Sequence, residues 1–213
     1  MKWVDIHNQE LLDILTAYSD WFFTTDLEPL EKVCDNPKRH CDTKIDDGCS
    51  HKYLLEILNK REEHIGFPEK AFSVDLAREE RVPSEHKKKR LEICTTLCSY
   101  LGARNQAVNV FYPAGGYMGW HTNWNAHGYN ILLSYSKTGN GFFRYKNPLL
   151  NRKIVTMDDR PGWSCKVGYF GNKQEHSDIY YHCAGSYEPR ITLGFIVPHK
   201  EMWEDMIEDI SGN

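Results

Sequence analysis

The feature of this sequence that most constrains its fold is a change in hydrophobic periodicity at Gly102. Before Gly102, apolar residues recur at helical spacing. After it, short runs of β-branched and aromatic residues alternate with glycine, proline and asparagine. A helical half followed by a half rich in strands predicts an α+β fold with a mainly β core, in which helices support a sheet.

Three helices are predicted before Gly102 and one near the C-terminus. The third begins after Pro83, with Ser84 as its N-cap, and ends at Gly102. Its apolar positions at helical spacing, which we expect to be buried, are Leu91, Cys94, Cys98 and Leu101. The other helices are predicted over residues 11–18, 51–65 and 200–210.

Seven strands are predicted after Gly102, over residues 107–112, 117–123, 129–135, 141–145, 163–170, 179–183 and 190–197. Thr138-Gly139-Asn140-Gly141 is typical of a hairpin turn between the third and fourth strands. Short antiparallel strands with tight turns predict a barrel or a sandwich, and we favour the barrel. The chain is then a single domain over residues 1–213, with a mostly helical supporting region (1–104), a β core (105–198) and a C-terminal helix (199–213).

Length and charge narrow the functional classes. A chain of 213 residues with 26% charged residues can bury a core and is typical of a globular protein. The formal net charge of −4 gives no global positive field, so nucleic acid is not an expected partner. We expect no membrane span, no secretory signal and reduced cysteines. These features favour a cytoplasmic protein, in the host cytoplasm if the protein is viral, and leave the oligomeric state open.

Side chains that can bind a metal stand in the predicted strands. His121 and Asn123 would point to one face of their strand because side chains alternate with period two. His182, on a neighbouring strand, is the expected third ligand. Two imidazoles and one oxygen ligand leave three positions open on an octahedral iron, as in the facial-triad oxygenases. A bidentate 2-oxo acid fits two of these positions, and Arg190 with Thr192 suits its far carboxylate.

In this order, the residues resemble the 2-oxoglutarate- and iron(II)-dependent oxygenases, which carry His-x-Asp, a distal histidine and then Arg-x-Ser/Thr. The resemblance covers about residues 108–197. It implies a double-stranded β-helix, a barrel of the jelly-roll or cupin type, with supporting N-terminal helices and a C-terminal helix. It also implies Fe(II) held by His121, Asn123 and His182, and 2-oxoglutarate as co-substrate bound by Arg190 and Thr192.

The resemblance extends to Tyr112, which stands nine residues before His121. A tyrosine at that spacing binds the oxo acid in the prolyl-hydroxylase and AlkB-like branches, so Tyr112 is assigned to the co-substrate site. The residues from Gly119 to Asn123 are also similar to those of small oxygenase-like proteins encoded by bacterial viruses.

Asn123 departs from the family, whose usual second ligand is an aspartate or glutamate. A neutral amide attracts a divalent ion less strongly than a carboxylate does. Three hypotheses follow: Asn123 ligates through its amide oxygen, a chloride or water takes that position, or the site is inactive and the fold serves another purpose. We favour metal binding in the first two senses.

The leading hypothesis is therefore a dioxygenase that hydroxylates a small-molecule or protein substrate and releases succinate and carbon dioxide. The alternative is a non-catalytic binding or assembly protein that retains the barrel. A cupin-like metal isomerase is a third class, but it does not explain Arg190 and Thr192. Ile196 stands where an AlkB-like nucleic-acid demethylase carries a second arginine, which disfavours that branch.

A second candidate metal cluster falls within eighteen residues and comprises Cys34, His40, Cys41, Cys49 and His51. It lacks any CxxC pair, so the favoured interpretation is a polar loop with free thiols. His127 and His176 are interpreted as turn and loop residues and not as ligands.

Overall fold

The computed structural model describes residues 1–34, 43–60, 64–147, 153–172, 174–175 and 181–212. Within this part of the chain, antiparallel strands form two sheets. The larger sheet has the spatial order β1 (Lys2–Val4), β9 (Gly162–Phe170), β6 (Gly128–Ser136), β11 (Arg190–Val197), β4 (Asn105–Tyr112) and β3 (Val74–Asp75). The smaller has the order β2 (Ala71–Phe72), β5 (Gly116–His121), β10 (His182–Ser186), β7 (Gly141–Lys146) and β8 (Ile154–Asp158).

The strands from β4 to β11 define the architecture. The chain passes from one sheet to the other at every connection among these strands except the one between β7 and β8. The order β9-β6-β11-β4 faces the order β5-β10-β7-β8, which is the arrangement of a jelly roll, or double-stranded β-helix. The predicted fold class is confirmed, and β1, β2 and β3 extend the edges of the two sheets.

The turn at Thr138-Gly139-Asn140-Gly141 is not a hairpin, contrary to the sequence prediction. The strands on either side of it, β6 and β7, belong to different sheets and do not pair. The carboxylate of Glu188 holds this turn, because its Oε1 accepts hydrogen bonds from the backbone N–H groups of Thr138 and Asn140 at 2.8 and 3.2 Å. Local turn chemistry indicated the position of the turn but not that the following strand joins the other sheet.

Side-chain alternation gives the larger sheet two different faces. Odd-numbered residues such as Phe111, Leu133 and Leu193 pack with helical side chains in one core cluster. Even-numbered residues such as Val110 and Leu132 point into the barrel. The described helices are α1 (Gln9–Thr24), α2 (Glu28–Cys34), α3 (Ile45–Gly48), α4 (His51–Lys60), α5 (Ser84–Tyr100) and α6 (Lys200–Ser211).

The buried face of α5 differs from the predicted one. Ile93 and Leu97 are buried, and the stripe continues to Leu101, whereas Leu91 is 58% exposed and the two cysteines of the predicted stripe are partly exposed. Both stripes have helical spacing, so spacing alone does not choose between them. Packing of the helix on the odd-numbered face of the sheet makes the choice.

The ends of α5 lie close to the predicted positions. Ser84 is the first helical residue and not the N-cap, because the carbonyl of Pro83 already accepts a hydrogen bond from the N–H of Lys87 at 3.0 Å. Gly102 follows the helix with φ +57°, a left-handed conformation that favours glycine. No helix in the described part of the chain has the length and apolar character needed to cross a membrane.

Candidate functional site

Pairing between β5 and β10 brings the two candidate histidine ligands together. His121 is the last residue of β5 and His182 the first residue of β10, and they are direct partners across the antiparallel ladder. Their ring centroids lie 4.2 Å apart, and each residue is 5% exposed. The pairing register therefore brings together two residues that are 61 positions apart in the sequence, and both imidazoles line the same cavity.

The protonation state of His121 suits a metal ligand. Its Nδ1 lies 2.8 Å from the carbonyl oxygen of Gly119, to which it donates, so Nε2 carries the free lone pair. Burial lowers the pKa of His121 to about 4, against the raising effect of the Gly119 hydrogen bond, and His64 adds a smaller lowering. The ring is therefore neutral near pH 7, the form in which imidazole binds metals.

Asn123 is not part of the strand, which ends at His121, so the predicted strand to residue 123 is too long. Asn123 instead precedes the short 3-10 helix Trp124–Ala126. Its side chain still reaches the site, since Nδ2 lies 3.3 Å from Nε2 of His182. A rotation of the amide by a half-turn exchanges its nitrogen and oxygen, so the same position can present an oxygen donor.

Aromatic side chains enclose His182. The Phe143 ring stacks on it with a centroid distance of 5.5 Å, and the Phe170 ring meets it edge-on at 4.9 Å. These contacts fix the imidazole in an apolar surrounding. The cavity beside it has a volume of about 110 Å³, enough for a small ligand or several waters.

The three predicted co-substrate residues lie at the other wall of this cavity. Arg190 pairs with Tyr112 across the β11–β4 ladder, and the Tyr112 ring centroid lies 4.9 Å from the guanidinium carbon. Nη2 of Arg190 donates to Oγ of Ser134 at 3.1 Å, and Ser134 lies 3.3 Å from Oγ1 of Thr192. Burial raises the pKa of Tyr112 to about 12 although Arg190 opposes it, so the phenol stays protonated.

Two residues were not predicted: Lys166, which lies at this wall, and Asp159, which lies behind it. Nζ of Lys166 lies 2.6 Å from Oδ1 of Asp159, and Nε of Arg190 lies 2.6 Å from Oδ2 of the same carboxylate. Lys166 occupies an even-numbered position of β9, and the alternation of that strand could have placed it in the barrel. Nothing in the sequence around Asp159 indicates its role, because it depends on long-range contacts.

The described members of the second candidate metal cluster do not come together. Cys34 lies in the core between the helices and the larger sheet, whereas Cys49 lies in a separate core cluster under the smaller sheet. Both are buried at the ends of short helices and not in a polar loop. His51 is exposed, and His40 and Cys41 lie outside the described residues.

Other ligand candidates in the described part of the chain are few. His127 is an exposed turn residue, as predicted, and His176 lies outside the described residues. Among those residues, no group of three or more His, Cys, Asp and Glu side chains could hold a metal ion. Among the described residues, Asn123 is an amide-bearing residue that lies beside His182 in this cavity.

Comparisons with known proteins give similarity only among solved structures. No protein-family model matches the sequence, and no curated protein matches it. A prolyl-4-hydroxylase from Pseudomonas putida is 15% identical, with a TM-score of 0.33, over 86% of this chain and 98% of its own. A prolyl hydroxylase from Trichoplax adhaerens, solved with a hypoxia inducible factor peptide, is 12% identical, with a TM-score of 0.35, over 92% and 94%.

OsALKBH1 is 15% identical, with a TM-score of 0.29, over 54% of this chain. The matched part of the chain spans 65% of the length of OsALKBH1. At these identities and TM-scores, the assignment of the fold rests on the strand order, and the assignment of the site rests on its geometry.

Proposed function

We propose that this protein is a non-haem Fe(II)- and 2-oxoglutarate-dependent oxygenase. The observation that carries the proposal is one cavity with two buried histidines and an amide at one wall, and buried cationic side chains at the other. The first wall fits a divalent metal, and the second fits the carboxylate of an oxo acid. When bound, iron and 2-oxoglutarate supply oxidative decarboxylation coupled to hydroxylation of a C–H bond, with succinate and carbon dioxide as products.

The residues of the chain have separate tasks in this proposal. Nε2 of His121 and of His182, with the amide oxygen of Asn123, would hold the metal. Arg190 and Thr192 would orient the co-substrate from the opposite side. The rings of Phe143 and Phe170 would exclude water from the ligand histidine His182 and hold its imidazole in place.

The proposed substrate is a small molecule or a protein. Ile196, where the AlkB-like branch carries its second arginine, is a buried residue of β11, so this strand offers no second cation there. A net charge of −4 also gives no general attraction to phosphate backbones.

Anaerobic titration with Fe(II) and 2-oxoglutarate tests the proposal. The wild-type protein should develop a visible metal-to-ligand charge-transfer band. His121→Ala and His182→Ala should each abolish it, because either change removes one of two imidazole ligands. His127→Ala is the matched control and should keep the band, since His127 is exposed on a turn.

Two results would contradict the proposal. Unchanged iron binding in both ligand variants would show that the metal site is elsewhere. No iron binding above background in the wild-type protein would favour the non-catalytic alternative, in which the barrel is a binding or assembly scaffold with a vestigial pocket.

A further inference from the structure

Three ionisable side chains form a buried cluster beside the candidate co-substrate site. Asp159 follows β8, Lys166 lies in the middle of β9, and Arg190 begins β11. Their side chains are 0–1% exposed. Besides its two contacts of 2.6 Å, the Asp159 carboxylate accepts a longer hydrogen bond of 3.4 Å from Nη2 of Arg190.

The cluster has two cations and one anion. Burial alone would raise the pKa of Asp159, but the charges of Arg190 and Lys166 outweigh it and hold that pKa below its usual value, so Asp159 is ionised. Burial lowers the pKa of Lys166 to about 8 against the attraction of Asp159, which still leaves most of the lysine protonated at pH 7. The cluster therefore carries an excess of one positive charge.

The excess charge faces the cavity. Lys166 and Arg190 both line it, whereas Asp159 does not. The described acidic residue that lines the cavity, Asp75, is itself near a cation, with Nε of Arg78 at 3.7 Å. The ring of Trp3 lies 4.2 Å from Nζ of Lys166 and stabilises the ammonium without neutralising it.

An uncompensated buried charge is costly, and a structural role alone does not explain it. One arginine would pair with Asp159 completely, and an apolar side chain at position 166 would fill the same space without the cost of dehydrating an ammonium. Nη1 of Arg190 is also buried and makes no hydrogen bond of ordinary geometry within the described residues, although the Tyr112 phenol lies close enough to act on the guanidinium as a hydrogen-bonding neighbour. The excess positive charge and the buried Nη1 of Arg190 both suit a cavity that binds an anion.

We propose that Lys166 acts with Arg190 as a second cation that binds the far carboxylate of the oxo diacid. The inference rests on the proposed function, which supplies the oxo acid. Lys166 comes from a different strand than Arg190, so the two cations would contact the carboxylate from two directions. Together they make the cavity selective for a diacid over an oxo acid of the same length without the second carboxylate.

Binding of two ligands to the Fe(II)-loaded protein without oxygen tests the inference by calorimetry. The ligands are 2-oxoglutarate and 2-oxopentanoate, which has the same carbon skeleton but lacks the far carboxylate. The wild-type protein should prefer 2-oxoglutarate by about a hundredfold or more. Lys166→Met should lower the affinity for 2-oxoglutarate by about tenfold to a hundredfold and leave the affinity for 2-oxopentanoate unchanged.

Two further variants control the experiment. Lys166→Arg keeps a cation and should retain most of the preference for the diacid. Lys70→Met removes a lysine that lies over the Tyr53 ring outside this cavity, and it should have no effect. Equal affinities of Lys166→Met and wild type for 2-oxoglutarate would overturn the inference and leave the proposed function intact.

Iron affinity separates the failure of the inference from that of the proposed function. Lys166→Met should bind Fe(II) as the wild type does when no oxo acid is present. If Lys166→Met also fails to bind Fe(II), its fold is damaged, and the Lys166→Arg variant is used instead. The inference is overturned if Lys166→Arg still binds Fe(II) but no longer prefers 2-oxoglutarate to 2-oxopentanoate. If the wild type binds no iron, the proposed function fails, and glutarate added to metal-free protein tests the cation pair alone. Binding weakened by Lys166→Met supports the pair, and unaffected or absent binding refutes it.

Discussion

Replacing Asp159 by asparagine should destabilise the protein more than any change of equal size on its surface. The substitution keeps the shape of the side chain but leaves Lys166 and Arg190 buried without their shared carboxylate. Breaking a buried ion pair in this way costs about 3–5 kcal/mol. For a chain of 213 residues, that loss corresponds to a decrease in Tm of about 6–20 °C.

Thermal unfolding followed by circular dichroism at pH 7 measures this loss. Asp158→Asn is the matched control, because Asp158 is the preceding residue and is exposed, and it should change the free energy of unfolding by less than about 0.5 kcal/mol. Adding Lys166→Met to Asp159→Asn removes one of the two unpaired cations. The double variant should recover about 1–3 kcal/mol.

The pH dependence gives a second check with a definite sign. The pKa of Asp159 is lower in the folded protein than its usual value of 3.8. Its stabilising effect is therefore complete above pH 4 and is lost only as the pH falls through the lower folded value. The difference between wild type and Asp159→Asn should shrink in acid, as Asp159 becomes protonated in the folded protein. A Tm within about 2 °C of wild type at pH 7 would refute this account of the cluster.

Two further predictions concern Asn123 in the proposed metal site and the packing of helix α5. Asn123→Asp places a carboxylate at the proposed ligand position. If the proposed function holds, Fe(II) should then bind about tenfold more tightly or better, and conversion of 2-oxoglutarate to succinate without substrate should rise. Asn123→Ala distinguishes the two binding hypotheses, since it loses iron if the amide is a ligand and keeps it, with sensitivity to chloride, if the position is open. Leu97→Ala should lower the free energy of unfolding by about 2–5 kcal/mol, whereas Leu91→Ala on the same helix should change it by less than about 0.5 kcal/mol. Equal effects of the two leucine changes in denaturant titrations would contradict the packing of α5.

The fold was predictable where local patterns carry the information. Runs of β-branched and aromatic residues marked β6, β9 and β11 to within one residue at each end. The strand β10 was placed too early, because its sequence after His182 is Cys-Ala-Gly-Ser, which has small side chains and weak strand propensity. The strand β8 was missed altogether. Its pairing partner β7 lies across a connection that no short-range signal describes.

The site was also predictable only in part, because some of its contacts join segments that are distant in the sequence. His121 and His182 stand out because two histidines in predicted strands can share a metal, and register then brings them together. The cluster of Asp159, Lys166 and Arg190 joins three separate segments, and no spacing rule connects them. Strand alternation does place Lys166 inside the barrel, and a lysine at an inward-facing position of an otherwise apolar strand is a signal that the sequence itself carries.

In the proposed oxygenase, charge balance would connect the neutral ligand Asn123 with the buried Lys166. If His121, His182 and Asn123 hold a divalent metal, two imidazoles and an amide would leave its full double positive charge uncompensated, and the cluster of Asp159, Lys166 and Arg190 adds one more positive charge. An oxo diacid brings two negative charges to this cavity, where its two ends would meet the two positive regions. Metal and diacid should therefore strengthen each other's binding by the same factor, as linkage requires. In a site with an aspartate at position 123, part of that attraction would already be satisfied within the protein. In the proposed oxygenase, the neutral ligand and the extra lysine would together make the cavity depend on its co-substrate for charge compensation.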